Sequence, residues 1–190
     1  MKVLRFGSGV GPKVFVVGGD ASTRLMFHQE DWTNVFDPQD ADFICLTGGP
    51  DVSPSLYGEA NTGLSFCNPT RDDVEVGLYK AYKDKAWLGI CRGGQLLNVL
   101  NDGKMHQDIG QHSGKRKVIT TAGAINLHED HHQGMIPAVG AEIIGMDAED
   151  QNYEVVYYDH SSCLCFQAHP EWGDNTTKEY FFGLIASKYF

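Results

Sequence analysis

The chain has 190 residues, of which 42% are hydrophobic and 21% charged, and it carries a formal net charge of −10. That length suits one domain, residues 1–190, with enough chain to bury a layered core. The acidic balance excludes a nucleic-acid partner, which needs a basic patch. No apolar run approaches the roughly 20 residues that span a bilayer, so no membrane partner is expected.

In chain order, a weak β candidate over residues 2–6 precedes a β-rich run over residues 13–17. Residues 7–11 form a glycine-rich turn, Gly7-Ser8-Gly9-Val10-Gly11. It lacks a following Lys-Ser/Thr pair, so it reads as a plain loop rather than a phosphate cradle. A second buried strand over residues 42–47 ends at Gly48-Gly49-Pro50. Residues 72–85 place Val76, Tyr79, Ala81 and Tyr82 among charges and predict an amphipathic helix. A strand over 86–90 and a helix over 94–101 follow.

The second half is strand-rich, with candidates over 116–121, 141–146, 153–158 and 163–168. The basic triplet Lys115-Arg116-Lys117 reads as a solvated strand entry. Residues 175–190 predict a closing helix capped by Asn175, Thr176 or Thr177. Short apolar strands alternating with helices predict an α/β fold, a mostly parallel sheet with helices on both faces.

Five cysteines, an odd number, do not make a disulfide framework. Cys45, Cys163 and Cys165 sit inside apolar strand runs and read as core thiols. Free thiols, with no apolar leader at the N-terminus, point to a cytoplasmic location.

Cys91 stands apart. A short apolar run delivers it into Gly89-Ile90-Cys91-Arg92-Gly93-Gly94-Gln95, which a helix-compatible segment follows at once. That order builds an elbow that exposes a nucleophile at the end of a buried strand. A cysteine there gains from the helix dipole and unpaired amides, which favour the thiolate. His169 and Glu171, at the end of another apolar run, supply a base and an orienting carboxylate for a Cys-His-Glu triad. The backbone amide of Arg92 and that of Gly49 are the expected oxyanion donors.

These residues carry a resemblance. Gly89-Ile90-Cys91-Arg92-Gly93-Gly94-Gln95 and His169-Pro170-Glu171 resemble the G-x-C-x-G-x-Q elbow and HPE motif of class I glutamine amidotransferases. The segment from Gly48-Gly49-Pro50-Asp51-Val52 to Tyr57-Gly58-Glu59 is similar to the γ-glutamyl hydrolase branch, which includes γ-glutamyl-γ-aminobutyrate hydrolases. So are Arg71-Asp72-Asp73-Val74-Glu75, Gln107-Asp108 and His131-His132-Gln133. The resemblance implies a flavodoxin-like sheet and attack of Cys91 on a γ-glutamyl amide through a γ-glutamyl thioester. It also implies that Gln95, His132 and Gln133 lie near the glutamyl group, and that no cofactor is needed. Asp102-Gly103-Lys104-Met105-His106-Gln107-Asp108 departs from the branch's GGxLxQD, which leaves the leaving group open.

His128-Glu129-Asp130-His131-His132 satisfies H-E-x-x-H literally. A zinc protease needs that motif on a helix, and the flanking residues lack helical periodicity, so no metal is expected. Asp72-Asp73 and residues 147–150 lack calcium-loop spacing and read as helix-start and loop charges. Two alternatives to a free-standing hydrolase remain: a glutaminase subunit that feeds a separate synthetase partner, and a binding protein that keeps the fold without turnover. The sequence leaves the oligomeric state open.

Overall fold

The computed structural model describes residues 11–18, 20–172 and 174–190. The strand candidate over 2–6 and nearly all of the glycine-rich turn over 7–11 lie outside the described residues.

Four of the apolar runs become the centre of one sheet: β1 (Lys13–Val17), β3 (Phe43–Leu46), β4 (Ala86–Ile90) and the last strand, β11 (Cys163–Phe166). With the two-residue edge strand β2 (Thr33–Asn34) they run parallel in the order β2-β1-β3-β4-β11. Every residue of β3, β4 and β11 is buried. Continuous apolar strands of this kind are stable only with cover on both faces. On one side α1 (Ala21–Gln29) and α4 (Asn175–Tyr189) bring Met26, Phe27, Phe181 and Ile185 against Val14, Phe43, Leu88 and Phe166. On the other, α2 (Pro69–Ala81) and α3 (Arg92–Leu100) bring Tyr79, Leu96 and Leu97 against Ile44, Leu46 and Trp87. Each large side chain buried this way contributes roughly 1.5–3 kcal/mol relative to exposure. Cys45 belongs to the first core, Cys163 and Cys165 to the second, and burial pushes all three thiols up in pKa.

The strand-rich second half extends this flavodoxin-like core with antiparallel strands. β6 (His112–Thr120) and β7 (Gly123–His131) form a hairpin. With β9 (Glu142–Asp147) and β10 (Tyr153–Tyr158) they continue the sheet as β11-β10-β9-β6-β7. A small pair, β5 (Lys104–His106) with β8 (Gly134–Ile136), joins it through β10.

Several boundaries differ from expectation. α2 begins at Pro69, because Asn68 caps it by accepting the Arg71 N–H at 3.1 Å. α4 is capped by Asp174, which accepts the Thr177 N–H at 3.3 Å, and not by Asn175, Thr176 or Thr177. Thr177 is buried instead, and its hydroxyl accepts the His128 N–H at 3.1 Å. β11 stops at Phe166, so Gln167, Ala168 and His169 leave the sheet at its carboxyl edge, beside Cys91 at the end of β4. Among the described residues no helix is long and apolar enough to cross a membrane.

Candidate active site

Cys91 occupies the N-cap of α3 with φ 49° and ψ −113°, a positive-φ conformation for a residue with a side chain. Such a conformation costs on the order of 1–3 kcal/mol and persists only where the surroundings impose it. Here the Cys91 N–H donates to Phe166 O at 2.8 Å, and the Gln95 N–H donates to Cys91 O at 3.0 Å. The flanking glycines are explained by space. A β-carbon at Gly93 would lie 2.2 Å from Leu46 O, and one at Gly89 would lie 2.5 Å from the Gly93 backbone. A β-carbon at Gly94 would lie 2.9 Å from Phe166 N. The helix start is pressed directly onto β3, β4 and β11, which fixes the sulfur at the sheet edge.

The residue after the cysteine anchors the elbow. Arg92 is buried, forms ion pairs with Asp72 and Glu75 of α2, and donates from Nε to Pro50 O at 3.0 Å. Asp72 is thus the expected helix-start charge and, in addition, a buried counter-ion. Arg71 completes the bracket: it donates to Glu75 at 2.7 Å, to Gly48 O at 2.9 Å and to Thr47 O at 2.9 Å. The Arg71-Asp72-x-x-Glu75 segment thus ties the glycine turn after β3 to the cysteine elbow after β4. At Gly49 the backbone has φ +146°, and an added β-carbon would lie 2.1 Å from Arg71 Nη1, so only glycine fits the turn.

His169 and Cys91 both border this turn. A β-carbon at Gly48 would stand 3.0 Å from His169 Cε1 and 3.8 Å from Cys91 Cβ. His169 Nδ1 is hydrogen-bonded to Glu171 Oε1 at 2.7 Å, and both side chains are buried. Burial draws the imidazole towards its neutral form. Interactions with the Cys91 sulfur and then with Glu171 outweigh that and push its pKa up to about 10. The indole of Trp172 stacks on the imidazole.

Gln167 acts on the same sulfur. Its Nε2 donates to Cys91 Sγ at 3.6 Å and its Oε1 accepts from Gln95 Nε2 at 3.3 Å. The sequence offered one signal for it, its position two residues before His169, and no reading of residue type singled it out.

A cavity of about 200 Å³ opens beside Cys91. The expected oxyanion donors Gly49 and Arg92 and the expected contacts Gln95, His132 and Gln133 all line it, together with Asp51, Gln111, Asp130 and His131. His132 Nε2 lies 3.2 Å from Asp51 Oδ2. Gln133 donates to Ser65 Oγ at 2.8 Å, and its main-chain oxygen accepts from Gln95 Nε2 at 3.4 Å. His169 and Glu171 sit across the Gly48 turn rather than in this lining. Among the described residues the only guanidinium in the lining, that of Arg92, is committed to Asp72 and Glu75.

The H-E-x-x-H segment is strand, as β7 runs through His131. Alternation therefore puts Glu129 and His131 on one face and His128 on the other. The helical zinc-protease geometry is absent.

Residues 26–133 match the sequence model of the peptidase C26 family, more than half of the chain. The chain belongs to the peptidase C26 family. Lactococcus lactis subsp. lactis has a glutamine amidotransferase-like protein, YvdE, that is 49% identical to this peptidase C26 chain over 79 residues. The match covers 40% of this chain and 34% of that one. The chain thus aligns with about a third of that curated relative. Solved structures resemble the fold over most of the chain. A Thermoplasma acidophilum protein named for GMP synthase superposes with a TM-score of 0.68 at 19% identity, covering 93% of this chain and 95% of that one. PurLQS from Thermotoga maritima superposes with a TM-score of 0.67 at 15% identity, covering 93% and 98%. At such identity the likeness is one of fold.

Proposed function

We propose that this peptidase C26 chain hydrolyses a γ-glutamyl amide through a thioester on Cys91. The observation that carries the reading is the pairing of a strained Cys91 elbow with the buried His169–Glu171 pair across the Gly48 turn. The sulfur opens onto a small polar cavity.

The Cys91 thiolate attacks the amide carbon, forming the C–S bond, and the oxyanion that develops is met by the backbone N–H groups of Gly49 and Arg92. Arg92 opens α3, so its amide has no acceptor within the helix. As the C–N bond breaks, the His169 imidazolium gives its Nε2 proton to the leaving amine or ammonia. Water then attacks the thioester and His169 takes its proton. The C–S bond breaks to release glutamate and restore the thiolate. Glu171 holds Nδ1–H throughout, which keeps Nε2 directed at the reacting atoms. Gln167 orients the sulfur.

The cavity is smaller than the roughly 300–1,000 Å³ of drug-sized pockets, which suits a single amino-acid acyl group with its leaving group outside. Asp51 and Asp130 supply counter-charge for an α-ammonium group, and Gln95, His132 and Gln133 supply polar contacts. The test is glutamate release from glutamine, γ-glutamyl-γ-aminobutyrate and a γ-glutamyl peptide, by the native chain and by Cys91→Ala. Turnover by the native chain that Cys91→Ala abolishes is the expected result. Turnover that survives Cys91→Ala overturns the mechanism, and no turnover without labelling of Cys91 by a glutamine-like electrophile favours a binding protein.

A second reading, a glutaminase subunit that delivers ammonia to a separate synthetase, is favoured by the exposed apolar residues around the site. Phe66 is 77% exposed while its N–H donates to the Asp51 carboxylate at the cavity, and Trp172, stacked on His169, is 53% exposed. Glutamine hydrolysis that rises on adding a synthetase partner would select this reading.

A further inference from the structure

We propose that His112, Glu129, His131 and Glu154 bind one divalent transition-metal ion, with zinc the best-fitting occupant, in a closed site adjoining the active-site cavity. The four side chains come from β6, β7 and β10 and are all buried. His112 and His131 face each other as cross-strand partners, and Glu129 shares the inward face of β7 with His131. This proposal stands on its own geometry and does not depend on the reaction at Cys91.

The separations select an ion over a hydrogen-bond network. His112 Nδ1 lies 3.4 Å from Glu129 Oε2 and 3.8 Å from Glu154 Oε1. His131 Nε2 lies 3.4 Å from Glu129 Oε2 and 3.6 Å from Glu154 Oε2. All four exceed the roughly 2.7–3.2 Å of a formed hydrogen bond. Three of the four fall within the roughly 3.3–3.6 Å between ligand atoms that each stand about 2.0–2.2 Å from a tetrahedral zinc, and the fourth, 3.8 Å from His112 Nδ1 to Glu154 Oε1, is slightly longer. Accordingly His112 Nδ1, His131 Nε2 and both carboxylate oxygens of Glu129 and Glu154 are buried without a hydrogen-bond partner.

The outward nitrogens fix the tautomers. His131 Nδ1 lies 3.0 Å from Gln133 O, a carbonyl that can only accept, so Nδ1 carries the proton and Nε2 turns a lone pair inward. His112 Nε2 lies 2.7 Å from the Asp150 carboxylate, which leaves Nδ1 facing the centre in the same way. Such outer-shell acceptors are what metal-bound histidines use. Two imidazole lone pairs and two carboxylates are thus gathered within 4.8 Å of one another, an arrangement that a bound cation would stabilise. Arg116 approaches Glu129 at 3.7 Å but is committed to Asp147 at 2.8 Å.

Two imidazoles and two carboxylates suit zinc or a neighbouring first-row ion, whereas calcium and magnesium demand six or more oxygens. Four protein ligands with no open position mark a structural site. His131 lines the cavity, and Glu154 O accepts the Gln167 N–H at 2.9 Å. The ion would therefore clamp β7 and β10 around Cys91.

The experiment uses the full chain purified without a polyhistidine tag, in native form and as Cys91→Ala. Metal content is measured by mass spectrometry. The chelator-stripped protein is then titrated with zinc against a chromophoric chelator and with cobalt by absorption. One equivalent bound by both forms, a cobalt spectrum without a sulfur charge-transfer band, and a melting temperature raised by zinc but not by magnesium are expected. Glu154→Gln and His112→Gln should weaken zinc binding at least about tenfold. If either variant fails to fold, the native titration still decides. The proposal is overturned by no stoichiometric uptake in the native chain, by uptake lost in Cys91→Ala, or by folded variants that bind undiminished.

Discussion

The imidazole of His169 lies flat against the indole of Trp172, with ring centroids 4.0 Å apart and planes 3° from parallel. The indole is half exposed, so it forms a wall between the histidine and water. An aromatic face next to an imidazolium stabilises the charged form by about 0.5–1 kcal/mol at an exposed site. Trp172→Ala should therefore lower the His169 pKa by about half a unit, read by NMR titration of the ring protons. An unchanged titration would show that the stack is only a steric wall.

His169 also makes stability depend on pH. Its folded pKa, about 10, lies above its ordinary 6.5, so the protonated ring is favoured by folding. The contribution is fully present below pH 6.5 and is lost as pH rises through about 10. Cys91→Ala removes the sulfur that contributes most to raising that pKa. Chemical denaturation across this window should show a shallower loss of stability in Cys91→Ala than in the native chain.

Arg92→Met leaves Asp72 and Glu75 buried without their common cation. The loss should be about 3–5 kcal/mol in denaturant unfolding, as for other broken buried ion pairs. Arg92→Lys should recover little, because an ammonium cannot reach two carboxylates and Pro50 O with a planar fork. The triple variant Arg92→Met, Asp72→Asn, Glu75→Gln should be more stable than Arg92→Met alone.

Two glycines in helices should respond in opposite ways. Gly93→Ala drives a methyl group to 2.2 Å from Leu46 O and should unfold or strongly destabilise the chain. Gly77→Ala in α2 meets nothing within 4 Å and should stabilise by about 0.5–1 kcal/mol. Melting temperatures of the two variants check both signs.

Gln167→Ala removes the amide that donates to the Cys91 sulfur while sparing most of the cavity lining. The expected effect on glutamyl-amide turnover is a fall in kcat with little change in KM. A rise in KM alone would place Gln167 in substrate binding instead.

The parallel core was legible because its strands are unbroken apolar runs and its turns are glycines. The Cys91 elbow was legible because close packing leaves only glycine at Gly89, Gly93 and Gly94, so the backbone geometry is written into residue type. β7 was not foreseen. Its inward positions run Ile125, Leu127, Glu129, His131, and two buried polar residues erase the alternation that marks a strand. α1 was missed for a related reason: only Thr23, Met26 and Phe27 are buried, too few to declare a face. The role of Asp72 was hidden because a carboxylate in the first turn of a helix usually needs no partner beyond the helix dipole. Its partner Arg92 is distant in sequence.

The bracket formed by Arg71, Asp72, Glu75 and Arg92 divides the site by tolerance to change. The half that carries Cys91 is set in backbone pressed against backbone and in buried charge, so substitutions at Gly89, Gly93, Gly94 or Arg92 cost folding. The other half of the cavity wall hangs on the antiparallel extension, where side chains such as His132 and Gln133 reach it from the short loop between β7 and β8. Under the proposed reaction, selectivity in this chain is therefore free to drift, or to be redesigned, while the chemistry at Cys91 stays the same.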